Sequence, residues 1–160
     1  MDRPAGACGG RIPGTITNGE GGMNIADAEV TEAPPSNSRP VRWGILGTSR
    51  IAANYMIPAM SGSCWCDLRA VGSRSAAVAE AYARQHGIPA HYGSYADVLD
   101  DPDVEAVYIP LPNHMHVEYA LEALGKGKHV LCEKPVAMSA ADASRLADAA
   151  TGLVFAEALM

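Results

Sequence analysis

A doubly wound α/β fold, a parallel sheet with helices on both faces, is predicted by three features of the sequence. From Val41 onward, short apolar runs alternate with helical patterns, the mark of βαβ units. The first run, Val41–Leu46, stops at a glycine turn and leads straight into a helix at Ile51-Ala52. A later run, 104–109, is apolar enough to be buried on both faces, as a central parallel strand must be.

In chain order, residues 1–40 stand apart. Gly9-Gly10, Pro13-Gly14, Gly21-Gly22 and Pro34-Pro35 punctuate a stretch with few large apolar residues. Such a stretch buries too little surface to offset its ordering entropy, so a flexible tail is expected, with Met23 as an alternative start. It has neither the apolar centre of a secretory signal nor a twin-arginine pair. Residues 41–160 are expected to form one domain. After the first strand, a helix runs from about 51 towards 60 and is interrupted near Pro58. The second strand covers 67–72. The helix over 75–86 turns Val78, Ala79, Tyr82 and Ala83 to one face and closes at Gly87. A short strand at 90–92, a helical turn at 95–100 and the apolar strand at 104–109 follow. The helix over 114–124 faces the sheet with Val117, Ala120, Leu121 and Leu124 and ends at Gly125 and Gly127. A fifth strand spans 129–132. Ser139 and Asp142 open the last helix, 139–150, in a capping box, before a sixth strand at 153–156.

Composition excludes several classes. A hydrophobic content of 48% with 19% charged residues is that of a globular chain. The net charge of −6 and the absence of a basic stripe argue against nucleic acid as a partner. No apolar run approaches the roughly 18 residues that a membrane span needs. Cys64 and Cys66 form a C-x-C without a second ligand pair, and His114 and His116 form an H-x-H without a carboxylate, so no metal is expected. With no disulfide framework visible, the cytoplasm is the expected compartment.

Ligands of an open parallel sheet bind beyond the carboxyl ends of the strands, so the residues there carry the functional reading. After the first strand, Gly47, Ser49 and Ala52 occupy the positions of a G-x-G-x-x-G/A dinucleotide fingerprint. Gly47 permits the tight turn and Ala52 lets the helix pack closely. Ser49 replaces the middle glycine, and its hydroxyl suits either a helix cap or a phosphate oxygen. An ordinary strand–loop–helix corner would use the same residues. After the second strand come Ser73-Arg74. Asp67 has nearly the right count for a ribose-binding acid but starts the strand, at the wrong edge. A hydroxyl and a guanidinium suit a 2′-phosphate, which points to NADP over NAD. After the fourth strand, Pro110 and Pro112 hold the loop through His116 extended, and Asn113 can cap the next helix. After the fifth strand, Glu133-Lys134-Pro135 places a lysine beside a carboxylate, suited to proton transfer in a cleft or to a surface ion pair.

Three runs carry a resemblance. G-I-L-G-T-S-R-I-A (44–52), P-L-P-N-H-M-H (110–116) and G-K-H-V-L-C-E-K-P (127–135) are similar to motifs of the glucose–fructose oxidoreductase, inositol dehydrogenase and rhizopine-catabolism (Gfo/Idh/MocA) family. The resemblance covers residues 41–160 and implies that family's amino-terminal Rossmann domain. It implies a cofactor site of Gly47, Thr48, Ser49, Arg50 and Ile51 for pyrophosphate, and Ser73 and Arg74 for NADP. Leu111, Asn113, His116, Glu133 and Lys134 complete it, with Pro112, Asn113 and His116 lining the nicotinamide side. Lys134 is implied to assist hydride transfer between the nicotinamide and a sugar or polyol carbon. Family members continue into a second, mainly antiparallel α+β domain that supplies most substrate contacts and usually the oligomer interface. That domain is missing from these 160 residues, so a fragment or a shortened gene product is expected. Two functions follow: an NADP-dependent sugar or polyol dehydrogenase, or a non-catalytic nucleotide-binding module or inactive remnant.

Overall fold

The computed structural model describes residues 38–159, so nearly all of the expected tail lies outside the described residues. The described residues form six strands: β1 (Val41–Leu46), β2 (Cys66–Gly72), β3 (Ala90–Tyr92), β4 (Ala106–Ile109), β5 (His129–Glu133) and β6 (Phe155–Ala158). All neighbours pair in parallel, in the order β3-β2-β1-β4-β5-β6. The chain winds outward from β1 to β3, crosses back to β4 and winds outward the other way. The doubly wound Rossmann topology is therefore observed, with its switch point between β1 and β4.

The helices are α1 (Ile57–Gly62), α2 (Ala76–His86), α3 (Tyr95–Asp100), α4 (Asn113–Gly125) and α5 (Ala140–Ala149). Successive strand residues point to opposite faces, and each face has its own core. Ile45, Val71 and Tyr108 pack with Ile57 and Met60 of α1 and Ala83 of α2. Leu46, Val107 and Ile109 pack with Val98 and Leu99 of α3, Ala120 and Leu124 of α4, and Leu146 of α5. β4, at the centre, is buried along its whole length. Leu146 is the residue α5 buries completely, worth about 1.5–3 kcal/mol. The Ser139 hydroxyl accepts from the Asp142 N–H at 3.1 Å and donates to its carboxylate at 2.8 Å, the expected capping. Buried Lys128 ties β5 to the turn before β4, its Nζ donating to the carbonyls of Asp101 (2.8 Å) and Val104 (2.6 Å).

Several local expectations are corrected. Pro58 does not interrupt the first helix. A π-helical turn, Ala52–Met56, runs into α1, with the Ile57 N–H bonding the Ala52 carbonyl. Pro58 then falls in the first turn of α1, where a missing N–H costs least. Val78 is exposed, because α2 turns only Ala79 and Ala83 fully inward. β6 starts two residues late. The Leu153 N–H bonds the Ala150 carbonyl at 2.9 Å in a turn where Gly152 has φ +79°, so the chain extends only after it. Cys64 is disulfide-bonded, although no disulfide framework is visible in the sequence, while Cys66 and Cys132 are free. Among the described residues no helix is long and apolar enough to cross a membrane.

Candidate functional site

Because all strands are parallel, the ends of β1, β2, β4 and β5 lie on one rim of the sheet, and the predicted segments follow those strands. At the first, Gly47 is buried with φ +109°, a conformation that side-chain-bearing residues rarely adopt. A Cβ there would stand 3.0 Å from Leu111 Cδ2, so the turn after β1 and the loop after β4 meet at this glycine. The Gly47 N–H bonds the Gly72 carbonyl at 2.8 Å, fastening the turn to the end of β2. Ser49 caps the helix, its Oγ accepting from the Ala52 N–H at 3.1 Å, and Ala52 is fully buried as the close-packing position requires. The Ser49 carbonyl accepts from the Tyr82 hydroxyl of α2 at 3.0 Å, a support that the helical pattern did not reveal. Arg50 is exposed at the helix start, and Thr48 and Ile51 are half-buried.

After β2, Ser73 is buried and its N–H bonds the Tyr92 carbonyl at 3.0 Å. Arg74 is exposed and, among the described residues, makes no ion pair. Its guanidinium is thus free to take a ligand anion. Asp67 lies at the opposite end of β2, as its place in the sequence implies.

After β4, Leu111 is buried and Pro112 and Asn113 are exposed. Asn113 does not cap α4; Pro112 is the capping residue, and no side chain bonds the helix start. The Asn113 carboxamide is left at the rim. His116 sits one turn into the helix, fully buried. Its Nε2 lies 2.7 Å from the Leu111 carbonyl oxygen and its Nδ1 2.8 Å from the Pro135 carbonyl oxygen, each within hydrogen-bond distance. As placed, the ring lies behind both loops with no free nitrogen for a ligand.

After β5, the Glu133-Lys134 pair does not form the surface ion pair that its adjacency allowed. The Glu133 carboxylate turns inward, accepting from the Tyr108 hydroxyl (2.6 Å) and, through its other oxygen, from the Lys134 N–H (3.3 Å). Lys134 points outward, exposed, with no ion pair among the described residues. Its peptide bond to Pro135 is cis. Glu157 of β6 accepts from the Val136 N–H at 3.0 Å, so the loop is fastened on its far side as well.

Burial, reinforced by the Glu133 carboxylate, raises the Tyr108 phenol above its ordinary value, and burial pushes the Cys132 thiol up to about 12. Both groups stay neutral in the folded chain after their unfolded counterparts have ionised, at pH values of about 9 to 10. The unfolded state then holds fewer protons, so their stabilisation is complete below about pH 9 and declines as pH rises towards their folded values. Each contributes a slope of up to about 1.4 kcal/mol per pH unit in that window. Lys128, lowered by burial, acts in the opposite sense. Urea unfolding across this range is therefore expected to show a shallower alkaline loss in Tyr108→Phe than in the parent; equal slopes would contradict the buried phenol.

The comparisons with known proteins meet this geometry. The family model for the oxidoreductase family with an NAD-binding Rossmann fold (GFO_IDH_MocA) matches residues 41–153. The chain belongs to the Gfo/Idh/MocA family. An oxidoreductase of Rhizobium meliloti is 48% identical over 75% of this chain and 36% of its own length. A D-xylose 1-dehydrogenase (NADP(+)) of Haloferax volcanii is 42% identical over 74% of this chain and 37% of its own. A solved Gfo/Idh/MocA neighbour is a 3-ketoreductase from Actinomadura kijaniata in complex with NADP and TDP-benzene. It superposes with a TM-score of 0.71 at 36% identity, over 74% of this chain and 37% of that one. The chain thus spans about a third of the length of these relatives.

Proposed function

We propose that this chain binds NADP(H) across the rim bearing Gly47, Arg74 and Lys134, and that its protein transfers hydride between the nicotinamide and a sugar- or polyol-type alcohol or ketone. The observation that carries the reading is Lys134, an exposed ammonium without an ion pair among the described residues, on a loop fastened by side chains of α4, β5 and β6. The residues present suit the cofactor. Gly47 offers bare backbone in a conformation that brings its neighbours close to a pyrophosphate. Thr48, Ser49, Arg50 and Ile51 continue into a helix start, where free N–H groups favour anions. Ser73 and Arg74 suit a 2′-phosphate. Leu111, Asn113 and Glu133 complete the nicotinamide side, with Leu111 against Gly47. Bound there, the nicotinamide supplies or accepts the hydride. Lys134 Nζ holds the proton of the reacting oxygen, giving it to a forming alkoxide or taking it from an alcohol. The substrate class rests on the relatives' names, a D-xylose dehydrogenase and a 3-ketoreductase.

A second reading is a nucleotide-binding module without turnover of its own. Titration with NADPH and NADH, followed by nicotinamide fluorescence, tests both. Saturable binding that favours NADPH is expected; no binding by a chain folded by circular dichroism overturns the cofactor reading. Turnover of NADP with sugars or polyols by the 160 residues alone would eliminate the second reading.

A further inference from the structure

His116 is fully buried, and neither its burial nor its contacts suit contact with a cofactor. Helical side chains lean towards the helix N-terminus, so a residue one turn into α4 reaches back beneath the loop that precedes the helix. His116 does so and touches two loops at once. Its Nε2 meets the carbonyl of Leu111, in the loop after β4, and its Nδ1 the carbonyl of Pro135, in the loop after β5, both within hydrogen-bond distance. A carbonyl oxygen only accepts, so each contact is a hydrogen bond from the ring nitrogen that carries hydrogen. The two residues held are the ones beside the site: Leu111 packs on Gly47, and Pro135 follows Lys134.

We infer that His116 is a positioning residue that sets the separation between the Gly47–Leu111 contact and Lys134, and does not itself touch the cofactor. The inference rests on the proposed NADP(H) site for its functional consequence, though not for its structural one. Two carboxylates complete the hold on the lysine loop: Glu133 on the Lys134 N–H and Glu157 on the Val136 N–H. Pro135 lies between those two amides, and its carbonyl is the contact that His116 supplies. Without it, the segment keeps its carboxylate bonds on either side but loses its tie to α4 and to the loop against which a nicotinamide would rest.

The test separates bonding from packing and from binding. His116→Phe keeps a ring in the buried space and removes both polar nitrogens; His116→Gln keeps a donor group and serves if the phenylalanine variant fails to fold. Hydrogen exchange in the ligand-free chain is expected to quicken about tenfold or more at the amides of Met115, Lys134 and Val136 in His116→Phe. Amides of β4 should keep their rates, and His116→Gln should fall between parent and His116→Phe. Unchanged loop amides, or an equal acceleration everywhere, would overturn the inference in favour of simple core packing. A second measurement reads function. Relative to adenosine 2′,5′-bisphosphate, which carries the 2′-phosphate but no nicotinamide, NADPH should lose affinity by about tenfold in His116→Phe. Equal losses of the two ligands would overturn the positioning role. Failure of the parent chain to bind either ligand would overturn the cofactor reading instead, and the exchange data would still decide the role of His116.

Discussion

Arg74→Ala is expected to weaken NADPH binding by about 10- to 100-fold while leaving NADH within a factor of about two, the loss of one charge-assisted contact to a phosphate. The expectation rests on position and freedom. Arg74 follows β2 directly, on the rim where Gly47 turns, and its guanidinium is exposed without an ion pair among the described residues. By contrast, Arg39, Arg42, Arg69 and Arg145 are each engaged with a carboxylate. Arg50 is the other exposed arginine on this rim, at the start of the helix that follows Gly47. A contact from that position would serve the pyrophosphate that both nucleotides share, so Arg50→Ala should weaken NADPH and NADH alike. Fluorescence titrations of the two variants distinguish the roles. Equal losses of both nucleotides in Arg74→Ala would remove it as the reader of the 2′-phosphate.

Gly72→Ala is expected to destabilise the fold by about 1–3 kcal/mol, lowering the melting temperature by several degrees. A Cβ at this position would lie 2.7 Å from Val98 Cγ2 and 2.9 Å from the Ser94 carbonyl oxygen. Val98 is fully buried in α3, and Ser94 caps that helix by accepting from the Asp97 N–H, so neither neighbour yields cheaply. The cost should reach the site as well, since the Gly72 carbonyl accepts from the Gly47 N–H. NADPH affinity is therefore expected to fall together with stability. Gly125→Ala is the matched control: that glycine ends α4, has open space around it and does not adopt a positive φ. There, alanine should be neutral or stabilise by up to about 1 kcal/mol. Thermal melts of the two variants make the comparison, and similar shifts would refute the packing argument.

Much of this architecture was legible without the structure. The bounds of β1, β3 and α3 were read directly, because turn residues and apolar periods mark them locally. Gly87 at φ +68° and the Ser139 cap were equally local signals. The four rim segments were found because a parallel sheet places every strand's carboxyl end on one side. Local signals mislead where they compete: Pro58 alone reads as a break, and Asn113 as the cap, whereas Pro112 occupies the capping position without a side-chain bond.

The sequence by itself determined the strand–helix alternation, the glycine turn and the identity of the residues at each strand end. These depend on interactions within a few positions along the chain, which composition and periodicity record. Only the tertiary structure decided what those residues touch. Tyr108 read as one more apolar strand position, yet the pairing of Tyr108 with Leu131 and of Ile109 with Cys132 brings its hydroxyl to Glu133. His116 read as a cofactor contact, and the docking of α4 turned it inward, between carbonyls 5 and 19 residues away. Such contacts follow from strand order and helix docking, which no short window of sequence contains. The physical reason is that burial makes an unpaired polar atom costly, and the partner that satisfies it is chosen by the fold, not by nearness along the chain.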